Sequence, residues 1–357
     1  ADRNGGWASA LRHDFSPIIE EGTMKILVTG ATSGLGRNAA EWLLQQGHQV
    51  VGCGRDQHAG AELTAQGMIF QPIELLNLTH EKAQLLIADC DAIWHCAALS
   101  APWGKRADFE AINWQATQIL ANVAGEMNVA KFVHISTPAI YFNFSHQQQI
   151  PESQSNTQFA NDYARSKYFA ELAIQQSVNR YPATRYIILR PRGLFGPHDR
   201  VLLPRLLTQI RLSKGKLILP AGGKNTFDLT YVGNVVHSMQ LATQQPDLSS
   251  GATYNITNQQ PQPLILTLQQ LFQQLALKCH IKSVPYPLLW SLAALLEAGS
   301  YINRKEPLLT RYSVGAAYFT MTLNNQKAQQ ELGYYPVYDM KTGIELTVNW
   351  LNNKATL

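Results

Sequence analysis

KILVTGATSGLG, residues 25–36, decides how the rest of the chain is read. Ile26, Leu27 and Val28 form a short apolar run with no polar interruption, as suits a strand covered on both faces. The run ends in three glycines. Gly30 permits a tight turn, Gly34 lets the backbone approach an anion, and Gly36 allows the next helix to pack closely on the strand. A helix starting there points unpaired N–H groups and the positive end of its dipole at a phosphate. With Thr32, Ser33 and Leu35 between and beside the glycines, the stretch predicts a strand–turn–helix that cradles the pyrophosphate of a dinucleotide.

Working outward, the same alternation repeats. Further strands are expected at QVVGC (49–53), MIFQPI (68–73), AIWHCA (92–97), KFVHIS (131–136) and YIILR (186–190). Helical patterns lie between them. Over 107–125, Phe109, Ile112, Ala116, Ile119, Leu120 and Val123 recur on one side at helical spacing. Such alternation predicts an α/β fold, a Rossmann doubly wound parallel sheet, over residues 24–192. A smaller, partly interleaved C-terminal substrate lobe is expected over 193–357. Within it, segments near 216–257, KLILP (216–220) and TYNIT (253–257), are expected to return partly to the sheet. Residues 1–23 hold no apolar run resembling a signal peptide and precede Met24-Lys25, which reads as a natural start. They are expected to be an expression leader or tag.

Composition narrows the function. Charged residues are only 15% of the chain, and the net charge of +4 shows no basic arm or arginine-rich run. Nucleic acid is therefore excluded as a partner. Cys53, Cys90, Cys96 and Cys279 lack CxxC spacing, which fits reduced thiols and a cytoplasmic location. No HExxH or carboxylate cluster calls for a metal, and His95 and His134 fall on expected strands as core groups.

The second strand runs out into Arg55-Asp56. An acid about 20 residues beyond the glycine turn would bind the ribose 2′-hydroxyl of NAD. Arg55 instead suits the 2′-phosphate of NADP, so NADP(H) is favoured, with NAD(H) the alternative. Arg37 is a further candidate for charge there. YARSK (163–167) sets Tyr163 and Lys167 four apart, on one face of a helix. A phenol ordinarily titrates near 10, and a neighbouring ammonium favours its ionised form. That makes Tyr163 a candidate acid/base. The expected fifth strand ends HISTP (134–138), where Thr137, with Ser136 beside it, can bind the substrate oxygen.

These segments, together with WHCAALSAPWG (94–104), LRPRGLFGP (189–197), TFDLTYVGNVV (226–236) and ELGYYP (331–336), resemble the extended short-chain dehydrogenases/reductases, the NAD-dependent epimerase/dehydratase superfamily. The likeness spans about residues 24–352. It is closest to the 3β-hydroxysteroid dehydrogenase-like branch, which includes sterol dehydrogenases and 2-alkyl-3-oxoalkanoate reductases. The resemblance implies that Asn113 holds a water in a proton relay. It also implies that Lys167 bonds the nicotinamide ribose, that Ala97 and Ala98 pass beneath the riboses, that Asn77 and Leu78 lie near adenine, and that Pro191, Gly193 and Leu194 lie near the carboxamide. A homodimer through the helices near 107–125 and 160–178 is common in look-alikes. One departure is the GxxxGxG spacing, typical of the shorter enzymes of the superfamily.

The expected reaction is hydride transfer between a nicotinamide and a carbinol or ketone carbon on a hydrophobic, 3β-hydroxysteroid-like or β-oxo lipid substrate. A nucleotide-sugar epimerase or dehydratase is the rival. Its relatives carry Asn and Arg for the sugar diphosphate where this chain has Gly193 and Thr226. A catalytically silent NAD(P)-binding regulator is a third reading. PYPLLWSLAALLEAG (285–299) is too short to span a bilayer and is interrupted by Glu297. It reads as a core helix, as a wall for a lipid-like substrate, or, over 285–302, as a peripheral membrane contact.

Overall fold

The computed structural model describes residues 22–355. The leader expected over 1–23 lies outside them except for Gly22 and Thr23, both exposed. Seven parallel strands form the central sheet: β1 (Lys25–Thr29), β2 (Gln49–Cys53), β3 (Ile69–Gln71), β4 (Ala92–His95), β5 (Lys131–Ile135), β6 (Arg185–Pro191) and β7 (Ala252–Ile256). Their spatial order is β7-β6-β5-β4-β1-β2-β3. The order reverses beside β1, so a crevice opens at the carboxyl ends of β1 and β4, where Thr29 lies opposite His95.

Alternate strand residues face opposite layers. Ile26, Val28, Trp94, Val133, Ile187 and Leu189 pack with helices α1 (Gly34–Gln45) and α7 (Val232–Gln244). Leu27, Ile93, Phe132 and Ile188 pack on the other face, against α3 (His80–Ile87) and α4 (Ala116–Glu126). Between these in sequence lie α2 (Gln57–Ala65), α5 (Asp162–Arg180) and α6 (Leu202–Leu212).

Several expected strands run short, because their last residues peel away as carboxyl-edge loops. Residues 72–79 leave β3 through a 3₁₀ turn at Leu75–Asn77, and 138–141 leave β5 through another. The 107–125 helix is not regular either: Glu110–Gln115 is a π turn between Arg106–Phe109 and α4. TYNIT returns to the sheet as β7. KLILP does not; Lys216–Pro220 pairs in parallel with His280–Val284 in a separate two-stranded sheet.

The second lobe adds α8 (Leu264–Gln274), α9 (Tyr286–Asn303), α10 (Arg311–Tyr318) and α11 (Met340–Ala355). Its core gathers Phe195, Leu217, Leu219, Leu271, Phe272 and Ile344. A four-stranded sheet sews the lobes together: Gln147–Ile150, from the first half of the chain, joins Met321–Leu323, Thr226–Phe227 and Gln262–Pro263. Helix α9 buries Leu289, Ala293, Glu297 and Ser300 along one stripe and leaves Leu288, Leu292, Leu295 and Ile302 exposed. Glu297 does not break it. Its carboxylate accepts from the Arg311 backbone N–H and from Arg311 Nε, both at 2.7 Å, and ties α9 to the positive end of α10. Among the described residues no helix is long and apolar enough to cross a membrane.

Candidate active site

The glycine turn has the shape a dinucleotide requires. Gly30 sits at φ +67°, and a Cβ there would stand 2.9 Å from Ala97 Cα. Gly34, at φ +53°, has nothing within 4 Å of where its Cβ would be. That open flank lies at the first turn of α1, whose N–H groups lack intrahelical acceptors. Ser33 precedes the helix without capping it, which leaves its hydroxyl for a ligand. Part of the turn is already braced: Gly34 N–H donates to His198 O at 2.9 Å, and Asn38 Nδ2 donates to Gly34 O and Pro197 O, each at 2.8 Å. Gly36 packs so tightly that its Cβ would fall 2.0 Å from Gly30 O. These residues fit a dinucleotide.

The other expected contacts ring the same edge. Ala97 and Ala98 leave β4, and Ala97 N–H donates to Thr29 Oγ1 at 3.1 Å. Exposed Asn77 and buried Leu78 follow β3. Pro191 ends β6, and Gly193 and Leu194 follow it; Gly193 O accepts from Thr230 N at 3.0 Å. Beyond β2, Arg55 is exposed and makes no ion pair among the described residues. Asp56 is occupied: it caps α2 through Ala59 N–H at 3.0 Å and pairs with Arg200 at 2.6 Å. Those two contacts hold its carboxyl below the usual range. Arg37 is also spent, on Glu41 (3.0 Å) and Glu62 (2.6 Å), so it is not the free charge considered from sequence.

Asn161 caps α5 by accepting from Ala164 N–H at 2.9 Å, and this sets Tyr163 and Lys167 on successive turns facing the crevice. Burial raises the Tyr163 phenol above its ordinary value, opposed by hydrogen bonds with the Thr137 and Ser100 hydroxyls. Lys167 is 1% exposed; its Nζ donates to Ile135 O at 2.6 Å and meets His134 Nε2 at 3.4 Å. Burial pulls Lys167 down to about 8, with Glu171 and Cys96 opposing. The expected effect of Lys167 on the phenol is therefore absent from this geometry. The ammonium is drawn to the floor of the crevice, and Thr137 and Ser100 act on Tyr163. Burial also drives His95 to about 3 and holds His134 well below its ordinary value, so both rings are neutral core groups.

Two expected roles change. Ser136 turns away from Tyr163 and donates to buried Glu171, which also grips Arg190 Nε at 2.9 Å; Arg190 in turn donates to the Tyr141 hydroxyl. Besides Thr137, the hydroxyl that opposes the effect of burial on the phenol is that of Ser100, within the 94–104 segment. Asn113 uses both Nδ2 protons, on Leu99 O (3.1 Å) and Ser166 Oγ (3.0 Å), while its Oδ1 accepts from Leu99 N–H at 2.7 Å. Its amide has no proton left for the expected water and instead pins the chain just before Ser100 to α5. The π turn is what aims it inward.

Tyr163, Ser100 and Arg192 line a cavity of about 1180 Å³, whose walls also include Leu206, Leu268, Leu289 and Leu296. The sequence pointed to α9 as one possible wall. The contribution of α6 and α8 had no local signal.

A dinucleotide crevice and a tyrosine–lysine pair on one helix define an NAD-dependent oxidoreductase of the extended short-chain dehydrogenase/reductase type. The chain belongs to the NAD dependent epimerase/dehydratase family, whose signature matches residues 26–257. It is 43% identical to uncharacterized protein YbjS of Escherichia coli (strain K12), over 94% of this chain and 99% of that one. It is 29% identical to the decarboxylating sterol-4-alpha-carboxylate 3-dehydrogenase of Candida albicans, again over 94% and 99%. Its fold is similar to that of UDP-glucose 4-epimerase from Thermotoga maritima, with a TM-score of 0.74 at 19% identity, over 93% of this chain and all of that one.

Proposed function

We propose that the protein interconverts a secondary alcohol and a ketone on a lipophilic substrate by hydride transfer, with Tyr163 as acid/base. The observation that carries this is the Tyr163 phenol, on one helix with Lys167 and lining, with Ser100, a large cavity with mainly apolar walls. A bound nicotinamide supplies or accepts the hydride. In reduction, Tyr163 gives its proton to the oxygen as the carbonyl becomes an alkoxide, and Thr137 and Ser100 donate hydrogen bonds to that oxygen. In oxidation the phenolate takes the proton back. Lys167, charged below about 8, holds the ribose. Pairing of Asp56 with Arg200, with Arg55 free, supports NADP(H) over NAD(H).

Leucine walls offer little to a sugar diphosphate, which needs charged and hydrogen-bonding partners. They suit a steroid or an acyl chain, as does the sterol named for the Candida relative. Tyr163→Phe tests the reading against 3β-hydroxysteroids and 3-oxoacyl compounds, followed by nicotinamide absorbance. Turnover should fall by at least about a thousandfold while dinucleotide affinity stays within about threefold. Near-normal turnover in the variant would refute the assignment.

Two partners follow from the same surface reading. The cavity opens among exposed apolar side chains, Val201, Leu202, Leu212, Ile218, Leu292 and Leu308. Ile218 shares the outer face of its two-stranded sheet with Lys216, His280 and Lys282. Residues 199–224 and 264–310 together hold ten Lys and Arg against three Asp and Glu, in a chain of net +4. An apolar collar set among cations suits an anionic bilayer, from which a lipid could enter. On α5 and the π turn, stacked Trp114 and Phe169 with exposed Leu172 suit a second copy of the chain.

A further inference from the structure

The loop FGPHDR (195–200) follows β6 and folds back onto the glycine turn. It reverses at Gly196 (φ +153°) and His198 (φ +61°) and is anchored on both sides. Toward the turn, His198 O accepts from Gly34 N–H at 2.9 Å and Pro197 O from Asn38 Nδ2 at 2.8 Å. Toward the second lobe, the Asp199 carboxylate accepts from the Val201, Leu202 and Leu203 N–H groups at 2.8, 3.1 and 2.9 Å, and so satisfies the start of α6. Next to that anchor, Arg200 reaches the end of β2. Its Nη2 donates to Asp56 Oδ2 at 2.6 Å and to Thr32 O at 3.4 Å, although 144 residues separate Arg200 from Asp56.

The end of β2 and the glycine turn abut here. Ala31 N–H donates to Cys53 O at 3.1 Å, and a Cβ on Gly54 would fall 2.7 Å from the Thr32 side chain. A dinucleotide whose pyrophosphate lies on the turn brings its adenosine ribose to this edge, where an acid accepts from the ribose hydroxyls of NAD. Asp56 is such an acid by position, but both its oxygens are taken, Oδ1 by Ala59 N–H and Oδ2 by Arg200. The Arg200 and Asp56 side chains are 53% and 33% exposed, so their pairing adds little to stability. Its effect falls on charge instead. Arg200 neutralises Asp56 and leaves Arg55 unopposed. Without it, a bare carboxylate next to Arg55 would offer NAD an acceptor and repel the 2′-phosphate of NADP.

We propose that Arg200, supplied by the loop ahead of α6, sets the dinucleotide preference by occupying Asp56, and so tilts the site from NAD toward NADP. Arg200 is a positioning residue: it acts through Asp56 and leaves the phosphate to Arg55. This rests on the NADP(H) reading proposed above. The preference itself is measurable without turnover.

NADP and NAD, titrated calorimetrically into the full chain without substrate, test it. Arg200→Ala should lower the ratio of NADP to NAD affinity at least about tenfold, and Arg200→Lys should keep part of the ratio. The double variant Arg200→Ala with Asp56→Asn has no carboxylate left to neutralise, and asparagine still caps α2. Its ratio should return to within about threefold of the unaltered protein's. An unchanged ratio in Arg200→Ala overturns the proposal. So does a double variant that keeps the lowered ratio, which would make Arg200 a direct ligand of the phosphate. Failure of both dinucleotides to bind overturns it together with the reading beneath it. Tighter binding of NAD by the unaltered protein would count against the NADP(H) reading alone, while the shift on removing Arg200 still decides Arg200.

Discussion

At the scale of single residues, the reactive centre depends on which charges are free. Lys167 keeps its proton only up to about 8, below the ordinary 10.5. Between those values the unfolded chain binds the extra proton, so this group's contribution to stability rises with pH across that window and is most unfavourable below it. In the proposed reaction, function runs the other way, because the ribose contact proposed for Lys167 needs the charged ammonium. We expect kcat/KM to decline as pH rises through about 8, and Lys167→Met to flatten that limb while weakening dinucleotide binding. A pH–rate profile with the same alkaline limb in Lys167→Met would sink the assignment. Arg55 stands free where Asp56 and Arg37 do not. Arg55→Ala should cost about tenfold or more in NADP affinity and little in NAD affinity, measured by fluorescence titration of both. An unchanged ratio places the preference elsewhere.

At the scale of elements, β5, β6 and α5 are locked by one buried ion pair, Glu171 with Arg190, which Ser136 joins from the end of β5. Both partners are at least nine-tenths buried in their side chains. Removing one leaves the other buried and unpaired, at a cost of about 3–5 kcal/mol. Glu171→Ala should therefore shift the denaturant midpoint strongly downward, and Ser136→Ala only slightly. Equal shifts would mean that Ser136 does more than join the network. The irregular elements matter as much as the regular ones. The π turn at Glu110–Gln115 aims Asn113 at Leu99, and so places Ser100.

At the scale of the whole molecule, exposed apolar side chains of the second lobe line the cavity, and Ile218 among them shares an exposed sheet face with Lys216, His280 and Lys282. Sedimentation with phosphatidylcholine vesicles containing phosphatidylglycerol should carry the protein down, pure phosphatidylcholine should carry less, and added salt should reduce the difference. Leu295→Glu, on the exposed face of α9, should weaken the association without changing the fold. Full recovery in the supernatant with both vesicle types excludes the membrane contact.

The parallel sheet, the glycine turn and the Tyr163–Lys167 pair were legible in the amino-acid order, because each follows from spacing within one short segment. Strand–turn–helix geometry brings Gly30, Gly34 and Gly36 into register locally, and one helical turn sets the tyrosine above the lysine. What the lysine bonds, which hydroxyl meets the phenol, and which arginine is left unpaired depend on side chains far apart in the chain. Ser136 lies 35 residues from Glu171 and turned inward to it. KLILP found its partner at His280–Val284 rather than in the central sheet. Such outcomes are settled by competition for partners in the packed interior, where a buried polar group takes whichever neighbour satisfies it, and only the tertiary structure holds that list of neighbours.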